Sequence, residues 1–167
     1  MKKLLIPTVL MASLITGCSS VPTESDEVAL KAKEFNLPSE SKAGLYIFRK
    51  DTFKGAALKK DVFVDEKCIG ETAKGVFFYH EVDGNQEHTV STESEFSNND
   101  LVITTEPGSL YFVEQYIKMG AFVGGAGLQE VDTEQGKNEL TKLKMATKGN
   151  CNSTATNSES SKKSRRR

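Results

Sequence analysis

Residues 61–79 read Asp61-Val62-Phe63-Val64-Asp65-Glu66-Lys67-Cys68-Ile69-Gly70-Glu71-Thr72-Ala73-Lys74-Gly75-Val76-Phe77-Phe78-Tyr79. Asp61 to Val64 is β-branched and aromatic, and reads as a strand. Asp65-Glu66-Lys67 makes a tight turn, Cys68 to Thr72 returns, and Val76 to Tyr79 is a third apolar run. This texture of short apolar runs divided by turn residues continues in both directions. Upstream, Gly44-Leu45-Tyr46-Ile47-Phe48-Arg49 reads as a buried strand. Downstream, Val82-Asp83-Gly84-Asn85 is a turn, Asp-Gly being a strong hairpin signal. Gln86 to Glu95 then alternates, with His88, Val90 and Thr92 on one face and Glu87, Thr89, Ser91 and Glu93 on the other. After the turn Ser97–Asp100 come a strand Leu101–Thr104, a turn Glu106-Pro107-Gly108 and a long strand Leu110–Ile117.

Turn signals recurring roughly every 8–12 residues predict an all-β fold, an antiparallel β-sandwich of about seven to eight strands. Val28, Leu30 or Ala29, Ala32 and Phe35 recur at helical spacing, so Glu24–Phe35 reads as a short N-terminal helix capped by Ser25 or Thr23 and stopped by Pro38. Its polar face holds few lysines, so the apolar stripe is expected to pack on the domain rather than on lipid. Asp132 caps a short C-terminal helix to about Leu143, or Leu140–Met145 forms a final strand; Gly136 weakens the helix. The folded unit is expected over 24–148. Residues 152–167 hold five Ser, a terminal Lys162-Lys163-Ser164-Arg165-Arg166-Arg167 and no apolar residue but Ala155, and read as a disordered basic tail.

Met1-Lys2-Lys3 and the 12-residue run Leu4–Ile15 describe a signal segment too short to span a bilayer. The run closes on Leu14-Ile15-Thr16-Gly17-Cys18, which resembles the bacterial lipobox. In that class a peptidase cuts between Gly17 and Cys18, and the Cys18 thiol carries diacylglycerol. Residues 1–17 are then a lipoprotein signal peptide, and 18–23 a lipidated cysteine and tether. Two or three acyl chains suffice for stable membrane anchoring. Ser19 rather than Asp after the cysteine points to the outer membrane, facing the periplasm.

The order of the pieces resembles the bacterial lipoprotein domain known as domain of unknown function 2846. The residues that carry the likeness are Asp26, Ala32-Lys33-Glu34-Phe35 and Pro38, then Gly44–Arg49, Val64-Asp65, Ile69-Gly70-Glu71, Pro107-Gly108 and Tyr111-Phe112-Val113. The hairpin Val64–Gly70 is also similar to the PEGA-like small β-sandwiches, which usually have Gly where Glu66 stands. The resemblance implies a periplasm-exposed lipoprotein with a β-sandwich and no assigned catalysis.

The net charge of −1 averages over unlike parts. With Lys2, Lys3, the five basic residues of the tail and Glu159 set aside, fifteen basic residues face twenty-two acids. The acidic body excludes a nucleic-acid binder, and a mean hydropathy of −0.41 excludes a multi-span membrane protein. Cys68 and Cys151 are the thiols left after Cys18. In an oxidising compartment a bridge between Cys68 and Cys151, worth roughly 4 kcal/mol, is expected, the alternatives being a buried Cys68 with Cys151 free or a bond between chains.

His80 and His88 lie across a hairpin, and with a carboxylate could serve a small metal-binding protein or hydrolase. No serine stands in a Gly-x-Ser-x-Gly elbow, so no enzyme and no cofactor is expected. Gly120–Gly127 has no Gly-Lys-Ser/Thr ending and reads as a bulged or crossing strand. Phe122 and Val123 within it are candidate partner contacts. The reading is a lipid-anchored, non-catalytic envelope domain that binds a protein or polymer partner.

Overall fold

Seven consecutive buried residues, Ala43–Arg49, mark the centre of the molecule. A strand covered on one face alternates; this one does not, so it is covered on both. The computed structural model describes residues 20–94, 98–119 and 124–152. In them the chain runs α1 (Asp26–Ala32), β1 (Lys42–Arg49), β2 (Lys60–Val64), β3 (Lys67–Thr72), β4 (Val76–Asp83), β5 (Gln86–Glu93), β6 (Asn98–Thr105), β7 (Leu110–Lys118), β8 (Gly125–Val131), α2 (Thr133–Leu140) and β9 (Lys144–Met145). A five-stranded sheet of order β8-β7-β1-β4-β9 packs on a four-stranded sheet of order β3-β2-β5-β6.

Alternate residues of β1 serve two cores. Ala43, Leu45 and Ile47 join Val62, Val64, Phe78, Val90 and Val113 between the sheets. Tyr46 and Phe48 point the other way and pack with Phe77, Phe112, Leu140 and Leu143 beneath the helices. The sandwich thus carries a helical third layer on one face. Each large apolar side chain so buried contributes about 1.5–3 kcal/mol.

Nine strands form among the described residues, and both a helix and a strand follow β8. The pairing is mixed rather than purely antiparallel: β1 runs parallel to β7, and β4 parallel to β9. The cause is the short Glu106–Ser109 link. It carries the chain from one sheet to the other, setting Leu110 beside Gly44, instead of turning it back as a hairpin.

Of the Gly-rich segment expected as a bulged or crossing strand, residues 120–123 lie outside the described residues, and the rest enters a strand without a bulge. Gly125–Val131 is an ordinary strand in unbroken register with β7, Lys118 opposite Gly125 and Phe112 opposite Val131. The register shift falls instead between Val62 and Phe63, which pair with Gly70 and Cys68 and leave Ile69 as the extra residue of β3. Gly127 has no room for a side chain, because a Cβ there would stand 2.7 Å from the Tyr116 ring.

The N-terminal boundary is corrected too. Val21 is buried, Thr23 bridges Ala146, the Glu24 N–H donates to the Met145 carbonyl (2.9 Å) and the Thr147 N–H to the Pro22 carbonyl (3.0 Å). Residues 21–24 are therefore an edge of the fold rather than a free tether. A few residues later Cys68 and Cys151 are bonded, their Cα atoms 6.0 Å apart. Beside them the Gly149 N–H donates to Ile69 and the Asn152 N–H to Asp61 Oδ2, each at 2.9 Å.

Candidate functional site

Ser25 starts α1: its Oγ accepts from the Val28 N–H, and Asp26 and Glu27 suit the positive first turn. The helix is shorter than its apolar stripe, ending at Ala32, and Phe35 takes a left-handed φ of 52° that turns its ring inward. Phe35 then meets Tyr46 edge-on at 5.4 Å, and Tyr46 stacks on Phe112 at 5.1 Å. The Tyr46 hydroxyl donates to the Ala32 carbonyl (2.6 Å), and Lys33 Nζ to the Leu143 carbonyl (2.7 Å), so both sheet and α2 segment hold the helix.

Within α1 only Ala29 is buried. Val28, Leu30 and Leu37 stand out at 44%, 66% and 71% exposure. The stripe expected to pack on the domain is therefore split, because the short helix cannot lay both of its sides on the sheet. Between α1 and the edge of β4 runs a groove of about 280 Å³, lined mainly by Val28, Leu37, Tyr79 and Met145, with Lys31 and Glu81 at its rim. Burial pushes the Tyr46 hydroxyl up to about 12. Burial and the hydrogen bond to Glu81 raise Tyr79 as well. Both phenols stay neutral, so the groove offers apolar contact and no nucleophile. No sequence signal marks it, since it exists only once β4, β9 and α1 are adjacent.

The two histidines are not brought to a common ligand site. His88 is buried on β5, with Nδ1 2.6 Å from Asp65 Oδ2 and Nε2 2.7 Å from the Asp83 carbonyl. Burial opposes its charge, but the bonds to Asp65 and Asp83 outweigh it and raise its pKa. The Asp65 carboxylate, also partly desolvated, is held below its ordinary value by His88 and the Thr89 N–H. With both ring nitrogens engaged, His88 has no lone pair open to a metal. His80 is pushed down by burial and by Lys148 and Lys67. Among the described residues no three His, Cys, Asp or Glu side chains are placed to hold a metal ion.

What this cluster does is hold a turn. Asp65 (φ 48°) and Glu66 (φ 65°) both lie in the left-handed region, the type I′ geometry of a two-residue hairpin. Neither is glycine, and the Asp65 bonds to Thr89 and His88 tie the turn to β5.

Gly17, Cys18, Phe122 and Val123 lie outside the described residues. Met119, which directly follows β7, is 80% exposed. Phe53, 97% exposed, rises from a loop that Arg49 fastens by donating to the Leu58 and Gly55 carbonyls. Gly55 and Leu58 of that loop pack against Ile117 and Gly124, so the two exposed apolar side chains belong to one end of the sandwich.

A family model described as "Protein of unknown function (DUF2846)" matches residues 39–126, from the approach to β1 into β8. An "Uncharacterized protein" of Haemophilus influenzae is 52% identical over 136 residues, 81% of this chain and 80% of that protein. No solved structure matches.

Proposed function

This chain belongs to the DUF2846 family of proteins of unknown function, and from its sequence we propose a non-catalytic role: a lipid-anchored lipoprotein of the bacterial envelope whose β-sandwich binds an envelope partner. The observation that carries the reading is Leu14-Ile15-Thr16-Gly17-Cys18 closing a cationic, 12-residue apolar leader. Cys18 carries the lipid, Ser19 directs the protein to the outer membrane, and the sandwich faces the periplasm.

The partner, a protein or a polymer, meets the end of the sandwich that displays Phe53 and Met119, and Phe122 and Val123, which follow Met119 in the sequence, are its further candidate contacts. Isolated apolar side chains at a surface are common, but two from different segments at one end of the sandwich are the beginning of a contact patch. The test is palmitate labelling of cells expressing the full chain, with membrane fractionation. The native chain is expected to be labelled and processed, and Cys18→Ala to be unlabelled and to keep its leader. A labelled, processed Cys18→Ala protein would refute the anchor. Crosslinking in intact cells from a photoreactive residue at Phe53 is expected to capture a partner that a probe at Glu27 does not.

A further inference from the structure

We infer that α1 and the two grooves flanking it seat directly on the phospholipid leaflet that holds the anchor, so that the sandwich lies in one fixed orientation at the membrane surface. The inference rests on the lipoprotein reading above and adds a second, non-covalent membrane contact to it. It begins with the edge pairing of Val21–Glu24. Because Thr23, Glu24 and Pro22 are bonded to Ala146, Met145 and Thr147, the folded unit begins at Val21. Val21 lies three positions beyond Cys18, with Ser19 and Ser20 between them, so the chain takes three steps. At full extension they reach about 11 Å, less than the radius of gyration of about 14 Å for a domain near this size. A domain so tethered cannot swing clear of the bilayer, and the surface around its N-terminal edge must meet lipid.

That surface is the one on which α1 exposes its apolar residues. Leu30 stands in a cleft with Thr23 and Glu24, on the strand that leads from the anchor. Val28 and Leu37 line the groove on the other side, against Met145, whose carbonyl holds Glu24. The three are 44–71% exposed. The rims carry Lys31, Lys33, Lys142 and Lys144 against Glu24, Asp26 and Glu81, and α1 exposes Glu27 between the two grooves, so the four lysines are matched by four acids and the seat rests on apolar contact rather than on charge. The helix is too poor in lysine to bind lipid by itself, but exposed apolar tips that a short tether holds at the headgroup level bury area there. A protein occupant would have to reach the same face within the short span the tether leaves.

The test uses the full lipidated protein in vesicles of phosphatidylethanolamine and phosphatidylglycerol. A photoreactive benzoyl side chain replaces, one at a time, Leu30, Leu37, Phe53 and Val102, all exposed. Lipid adducts are expected to form several-fold more at positions 30 and 37 than at 53 and 102. Equal labelling at all four positions, with Cys18 shown to be acylated, overturns the seating and leaves the anchor standing. Adducts to protein instead of lipid at 30 and 37 in native membranes overturn it in favour of a partner on this face. A chain without acyl groups at Cys18 overturns the anchor and the seating together.

Discussion

Removing the bond between Cys68 and Cys151 tests how much of the stability of this fold is stored in the unfolded chain. The two cysteines are 83 positions apart. Constraining a loop of that length removes about 15 cal/mol/K from the unfolded ensemble, or about 4.5 kcal/mol at 25 °C. Cys68 lies at the exposed start of β3, so replacing it costs little packing. The Gly149 to Ile69 and Asn152 to Asp61 bonds remain to hold the segment in the folded state. The double variant Cys68→Ser, Cys151→Ser should therefore melt roughly 16 °C lower, taking about 2.1 cal/mol/K per residue for the unfolding entropy of some 130 residues. Its urea m-value should also rise, because the uncrosslinked chain exposes more surface on unfolding. Thermal and urea unfolding followed by far-ultraviolet circular dichroism read both quantities. A melting point within a few degrees of the native protein would refute the entropic account. A large drop with an unchanged m-value would place the loss in native packing instead.

Other variants probe the turn and the helical cover. His88 is charged at low pH by its bonds to Asp65 and Asp83, so the stability it gives is complete below the ordinary histidine value of about 6.5 and fades as pH rises through its raised value. Asp65 is 43% exposed and screened by water, so the loss is about 1 kcal/mol; urea midpoints between pH 5.5 and pH 9 should show this fall, and His88→Gln should flatten it. Glu66→Gly relieves a left-handed residue in the hairpin and should raise the urea midpoint by the equivalent of about 0.5–1 kcal/mol, where a drop would mean the Glu66 side chain matters more than its backbone. Gly136→Ala, although it favours helix by about 1 kcal/mol, should destabilise by about 1–3 kcal/mol because its Cβ would stand 2.6 Å from Phe112 Cβ and nearer still to the ring; a higher melting point would refute that contact.

The strands were legible where a face alternates or a turn residue intervenes. The hairpin of 61–72 and the alternation of His88, Val90 and Thr92 are found where the pattern places them, with those three buried. What escaped is pairing that leaves no local mark. The parallel partnership of β1 and β7 joins residues more than sixty positions apart, and no periodicity encodes it. The edge at 21–24 is too short to show a repeat, and the glycines at the start of β8, read as a bulge or crossing within a strand, serve close approach to Tyr116 and Lys118 instead. Gly136 argues against a helix by propensity, yet α2 needs it to lie against Phe112. The groove beside α1 is assembled from helix, strand and C-terminal segment, so none of its parts announces it alone. The histidines allowed a shared ligand site only as an alternative, and the fold gives His88 a structural place in a turn.

The cystine joining β3 to the end of the folded chain has a mechanical consequence. Tension between an anchored N-terminus and the tail beyond residue 152 would run along residues 20–68, cross the sulfur bridge and leave through Cys151. The 82 residues between the two cysteines, which include β4 to β9, would bear none of it. Force would first peel Val21–Glu24 from Ala146 and then strip α1, β1 and β2, leaving the remainder as a closed loop that cannot be drawn out. Under load in an oxidising compartment the chain would yield by a short, fixed length; once reduced, it would extend almost end to end.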